Sequence, residues 1–227
     1  MEMEITVPDE VPVMILPNMA FFPQALLPLH IFEPRYRQML EDVLATNRLF
    51  AVAGLNPASR EAPRLVEPPH RVASVGLIRA CQKNRDGTSN LILQGLCRVE
   101  ILSVIGDTPY RSIRIRALAS QPGCAPADNN RLRKELARLI ALKQKFGALV
   151  PANMAKFLHT VEDPETFVDL AAFNLCEDPA LRQRLLETLD IHARLALFKR
   201  QLRADIDALK LRHRLQGRLA DDHISDN

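Results

Sequence analysis

The spacing of apolar residues divides the chain in two. Before residue 119 they alternate or fall in short runs; after residue 130 they recur at helical intervals. Residues 11–16 and 26–29 are short apolar runs that carry Pro12 and Pro28. Proline cannot donate to a strand ladder, so both runs predict edge strands or strand ends. The pattern changes after Glu33-Pro34. Tyr36, Met39, Leu40, Val43 and Leu44 share a helical face, and Pro34 suits a first helical position, so the spacing predicts a helix over 34–46. Residues 49–53 read as a strand, and 56–69, rich in Pro, Ala and charge, as a loop. Residues 72–78 predict a strand running on towards Lys83, and Asp86-Gly87 carries the strongest hairpin signal of the chain. A strand over 90–94 is interrupted by Gly95 and resumes over 96–104, which predicts a bulge or a close backbone approach at the glycine. Over 110–118, Ile113, Ile115 and Ala117 alternate with Arg114 and Arg116, the pattern of a half-buried strand.

Pro122, Gly123 and Pro126 then mark a linker over 120–130. Beyond it Leu132, Leu136, Leu139, Ile140 and Phe146 line a first helix, and 152–160 a short second one. Asp163-Pro164 and Asp178-Pro179 each set a capping carboxylate before a proline at the first helical position. Ile191, Leu195, Phe198, Leu202, Ile206 and Leu209 form the stripe of the last and longest helix. The expected class is α+β: a β subdomain over 1–119, a helical bundle over 131–220, and a polar tail over 221–227 read as frayed.

Composition and charge narrow the function classes. A chain of 227 residues, 47% hydrophobic and 25% charged, can bury a real core. A net charge of +3 requires no nucleic-acid or membrane partner. Residues 1–130 are neutral, so the excess lies beyond them. One basic run there includes Arg131, Arg133, Lys134, Arg138, Lys143 and Lys145; a second includes Arg194, Lys199, Arg200, Arg203, Lys210, Arg212, Arg214 and Arg218. Both read as solvated helix faces. An RNA-binding surface is the alternative, weakened because no aromatic platform interleaves with the charges. Cys81, Cys97, Cys124 and Cys176 form no CxxC pair, so neither a metal nor a redox site is expected. The start Met1-Glu2-Met3-Glu4 is acidic where a signal peptide is basic, and no segment reaches the roughly 20 apolar residues of a membrane span. The expected location is the cytoplasm, with reduced thiols and no cofactor.

Particular wording then points to a family. Phe22-Pro23 leads through Leu29-His30-Ile31-Phe32-Glu33-Pro34-Arg35-Tyr36-Arg37 to Met39. Val75-Gly76-Leu77-Ile78 is followed by Asp86-Gly87-Thr88 and by Gly95-Leu96-Cys97-Arg98. Asp163-Pro164, then Arg182-Gln183-Arg184-Leu185-Leu186-Glu187-Thr188-Leu189-Asp190, then Arg194-Leu195 complete the set. In this order they resemble the N-terminal substrate-recognition domain of the ATP-dependent Lon protease over nearly the whole chain. The resemblance implies a PUA-like pseudo-barrel followed by a helical subdomain. It also implies a non-catalytic module that binds unfolded or apolar protein segments, working with a separate protease or chaperone. The chain departs from the family's pattern at Gln24, where glycine is usual; a left-handed turn is costly for glutamine, so this loop is expected to differ. No GxxxxGK[S/T] phosphate loop and no counterpart of Lon's Ser–Lys protease module occurs, so no catalytic residue is expected.

Within the first stretch the residues read mostly as architecture. His30 is expected to be a hydrogen-bonded structural histidine. Glu33, Arg35 and Arg37 are expected to cap and ion-pair the helix start next to Pro34, with Tyr36 in the core and Phe32 part of the same motif. Phe21 and Phe22 are adjacent, and neighbouring side chains of a strand point to opposite faces, so one of them is a candidate apolar contact; the alternative is that both are buried under the following loop. The expected binding site is a groove between barrel and helices.

Overall fold

A computed structural model describes residues 6–56, 67–146 and 152–216. The elements run β1 (Glu10–Leu16), β2 (Leu26–Ile31), α1 (Pro34–Leu44), β3 (Leu49–Gly54), β4 (Val72–Lys83), β5 (Ser89–Gly106) and β6 (Ser112–Leu118). They continue as α2 (Pro126–Lys145), α3 (Ala152–Thr160), α4 (Pro164–Leu175), α5 (Pro179–Glu187) and α6 (Ile191–Gln216). Strands β5, β4, β3, β1 and β6 pair in that order, and β6 pairs back onto β5, which closes a barrel. The β1–β3 pair is parallel and the rest antiparallel. Val11, Val13, Leu49, Ala51, Ala73, Val75, Val99 and Ile113 fill the barrel interior, each at most 2% exposed.

The two prolines lie where a missing donor does least harm. Pro12 is in the stretch of β1 that pairs with β6 alone, before pairing with β3 begins at Val13. Pro28 is in β2, the free edge of the sheet. Gly95 N–H donates to the carbonyl of Ala25, which continues the β2–β5 register. The odd-numbered residues of β2 therefore carry the ladder bonds, and Leu26, Pro28 and His30 turn theirs outward.

Strand β5 is continuous for 18 residues. The register slips by a residue at Gly95, where the bulge predicted from the sequence is found. Here the main chain of the 22–25 turn crosses so closely that a Cβ on Gly95 would lie 2.0 Å from the Phe22 carbonyl oxygen. The turn does not reroute around Gln24. That residue takes the left-handed conformation, φ 63°, and its N–H donates to the Gly95 carbonyl at 2.9 Å.

The helices pack beside the barrel around a second buried cluster. Phe167, Leu136, Leu185, Leu195, Phe198 and Leu202 join Phe21, Phe22, Tyr36 and Met39 there. Both predicted aspartate caps form: Asp163 accepts from Thr166 N–H and Asp178 from Ala180 N–H. Helix α2 starts at Pro126, within the stretch read as linker, and the tail over 221–227 lies outside the described residues.

Barrel and helices meet at a buried ion cluster. Arg98 of β5 forks onto Asp169 of α4 at 2.7 and 2.6 Å and donates to the Leu186 carbonyl. Arg194 of α6 donates to the same carboxylate at 2.7 Å, to Ser120 and to the Thr188 carbonyl. Glu165, partly exposed, lies 3.5 and 3.3 Å from the two guanidinium groups. Arg98, Asp169 and Arg194 are each at most 2% exposed. Arg194 was expected on a solvated face; its flanking stretch docks instead against the barrel, and burial pushes its pKa down. Lys143 is likewise buried, held by Asp205 at 2.6 Å.

Candidate functional site

Beyond the barrel, β2, the first half of β5 and the end of β4 form a three-stranded lobe. Side chains alternate across such a sheet, so its two faces differ in composition. Leu27, Ile31, Leu91 and Leu93 face inward and share one buried cluster with Tyr36, Met39, Leu40 and Val43 of α1. The register places Leu26 opposite Gln94, Pro28 opposite Ile92 and His30 opposite Asn90, with Ala80 and Gln82 of β4 completing the rows. The slip between Ile78 and Ala80 keeps the β4 residues in phase with that face.

This outward face is open and apolar. Leu26 is 57% and Phe32 60% exposed, fractions usual for charged residues rather than for these. Pro28, His30, Ala80, Gln82, Asn90 and Ile92 line a shallow concavity of about 570 Å³. The His30 ring stacks beside Phe32, centroids 6.1 Å apart and planes 23° apart, and its Nδ1 lies 2.7 Å from Asn90 Oδ1. Arg79 borders the face, its Nε–H donating to Gln94, whose amide in turn donates to Gln24. The floor is thus aliphatic, with an aromatic pair at one end and uncharged amides among the strands. Such a surface suits an extended chain: apolar side chains can settle on the floor while the amides meet its backbone.

The profile of the family described as ATP-dependent protease La (LON) substrate-binding domain matches residues 10–203. The chain belongs to the Lon substrate-binding domain family. It is similar to the Lon protease of Desulfosudis oleivorans, 23% identical over 95% of this chain but only 26% of that protein. Lon protease 1 of Herpetosiphon aurantiacus is 24% identical over 97% of this chain and 27% of its own length. The chain thus spans about a quarter of the curated relatives it matches. In fold it is similar to the N-terminal domain of Mycobacterium avium complex Lon protease, TM-score 0.65, 18% identical, covering 87% of this chain and 98% of that one. A Lon N-terminal domain protein from Xanthomonas campestris gives a TM-score of 0.59 at 18% identity, covering 83% and 96%.

The residues singled out by the sequence separate into buried and exposed sets. Phe21 and Phe22 are fully buried and so cannot meet a partner in this conformation. They lie in the turn before β2, not in a strand, so the alternation argument does not apply to them. Phe21 meets Phe173 edge-on at 6.3 Å, and the Arg98 guanidinium lies 5.7 Å from the Phe22 ring. Tyr36 is in the core, its hydroxyl accepting from Ile15 N–H. Pro34 opens α1 as expected, but Glu33 makes no side-chain cap; it pairs with Arg35 at 2.9 Å. Arg35 also forks onto Glu67 at 2.8 and 3.1 Å. Arg37 lies against the Asp86-Gly87 turn.

His30 has its hydrogen bond, but on the open face rather than in the core. The expected groove between barrel and helices is occupied at its base by Arg98, Asp169 and Glu165, leaving only about 240 Å³. Leu26, Ala80, Asn90 and Ile92 were missed, because only the pairing of β2, β5 and β4 brings them together. The one available signal was Leu26 itself, on the same strand parity as His30. Among the described residues no group of metal-ligating side chains gathers, and no helix is long and apolar enough to cross a membrane.

Proposed function

We propose that the outward face of the β2–β5–β4 lobe binds exposed apolar segments of other polypeptides, without catalysis, for action by a separate protease or chaperone. The observation that carries this reading is the open apolar face bearing Leu26 and Phe32, in a chain of the Lon substrate-binding domain family. An unfolded chain presents such segments and a folded one hides them, so the face discriminates on folding state. Affinity is modest, because a disordered target loses entropy on ordering.

The test compares binding of an unfolded casein-like chain with binding of a folded control. Binding of the unfolded chain alone is expected. Replacing both Leu26 and Phe32 with Ser should weaken it at least tenfold, since burying each side chain contributes about 1.5–3 kcal/mol. The melting temperature should hold, because both side chains are already largely in water. Equal or absent binding of the two chains, or an unaffected double variant, would overturn the reading. The RNA alternative gains no support: Arg194, Lys143 and Lys199 of the basic runs are engaged by Asp169, Asp205 and Glu135. Binding of RNA that falls steeply with salt would reinstate it.

A further inference from the structure

Away from that face, the segment joining β6 to α2 brings a thiol and an imidazole together. Cys124 Sγ lies 2.9 Å from His192 Nδ1, near the start of α6. Asn129, 4% exposed, completes the group. Its Nδ2–H donates to the Pro122 carbonyl at 2.8 Å, which turns its Oδ1 towards both partners, 3.1 Å from Sγ and 3.1 Å from Nδ1. The backbone is built to hold this placement. Gly123 has φ +72° and passes so close to Asp190 that a Cβ would lie 2.1 Å from the carboxylate. Gln121 N–H donates to the Leu189 carbonyl, and Ile191 N–H to the Gln121 carbonyl, fastening the segment to the start of α6.

A nucleophile within hydrogen-bond reach of a base is the arrangement that activates a thiol. Asn129 Oδ1 only accepts: it can take a hydrogen bond from Sγ–H at rest, and from His192 Nδ1–H once the proton has moved, holding the protonated ring. Burial and the carboxylates of Asp128 and Asp190 push the Cys124 thiol up, so the resting sulfur keeps its proton. Asp128 is itself paired with Arg131 at 3.2 Å. A negative environment of this kind disfavours a bare thiolate, so the proton must leave to a neighbouring base as the sulfur attacks. Attack and proton transfer are thereby coupled. Among the described residues the other thiols have no such neighbour: Cys81 is exposed, Cys176 buried, and Cys97 half-buried, with burial raising its pKa.

We propose that Cys124 is a modification site that takes small disulfides by thiol–disulfide exchange, with His192 as its base. Sγ attacks one sulfur of the incoming disulfide as its proton passes to His192 Nδ1. The S–S bond breaks, a new one forms to Cys124, and the leaving thiolate recovers the proton from the imidazolium. The disulfide is the oxidant, and one thiol is released for each thiol consumed. The modified sulfur then lies in the seam between barrel and helices.

The experiment treats the whole protein with oxidised glutathione at neutral pH and follows each cysteine by peptide mass spectrometry. Cys124 should be modified at least tenfold faster than Cys81, although Cys81 is the more exposed. In His192→Gln the Cys124 rate should fall at least tenfold while the Cys81 rate holds and the buried Cys176, an internal control for folding, stays unmodified. If that variant fails to fold, the pH profile of the unaltered protein decides. A base-assisted Cys124 flattens over the neutral range, whereas an unassisted thiol climbs about tenfold per pH unit below its pKa. A faster Cys81, an indifferent His192→Gln, or an unassisted profile at Cys124 would each overturn the proposal.

Discussion

Gln24 and Gly95 hold each other in place, and the strain is carried by the residue with the side chain. A left-handed conformation costs a non-glycine residue roughly 1–2 kcal/mol. Gln24→Gly should therefore stabilise the fold by up to about 1 kcal/mol, raising the melting temperature by about 2–4 °C in a chain of this size. A lower melting temperature would show that the Gln24–Gln94 amide contact outweighs the strain. Gly95→Ala is predicted to destabilise by about 1–3 kcal/mol or more in denaturant titration, because its Cβ would meet main chain, which cannot swing aside as a side chain can. Glu67 sets a pH dependence. Its hydrogen bonds from Arg35 hold its carboxyl below the ordinary 4.5. A depressed folded-state pKa contributes stability above the ordinary value and loses it as pH falls through the folded one. Glu67→Gln should thus lower stability at neutral pH and flatten the decline between about pH 5 and pH 3, read by thermal melts across that range. At this scale the sequence was legible for Tyr36, Pro34, Asp163 and Asp178, whose roles depend on neighbours close along the chain. It left Phe21 and Phe22 open between contact and burial and misplaced Arg194, because segments far away in sequence decide whether these side chains are buried.

The elements were read more reliably than their assembly. The helix expected over 34–46 is Pro34–Leu44, and the strand expected over 110–118 is Ser112–Leu118. Alternation and helical spacing are local properties, so they survive without knowledge of pairing. The proposed recognition face is different: it exists because β2 and the end of β4 flank the first half of β5, and no local pattern encodes that. The joint between β5, α4 and α6 has the same character, since Arg98, Asp169 and Arg194 sit in three separate motifs. Breaking a buried ion cluster by removing one partner costs about 3–5 kcal/mol. Asp169→Asn, which leaves two buried guanidinium groups short of their shared carboxylate, is expected to cost an amount of that order in urea unfolding. A loss below about 1 kcal/mol would mean that Glu165 takes over.

For the whole molecule, the family and the α+β architecture follow from wording spread along most of the chain, while the open apolar face of the lobe exists only in three dimensions. The barrel and the outlying sheet lobe share strands β4 and β5, and β5 also reaches the helices. The first half of β5 lies under the proposed recognition face; its second half closes the barrel and carries Arg98 to the helices. This has a mechanical consequence. A polypeptide gripped on the lobe and tugged along the strand direction loads the ladder of β5 in shear, with its perpendicular hydrogen bonds resisting together rather than opening one after another. If the lobe binds as proposed, it keeps its grip under tension that would peel a terminal hairpin apart, and the pull is delivered straight to the helical half of the molecule.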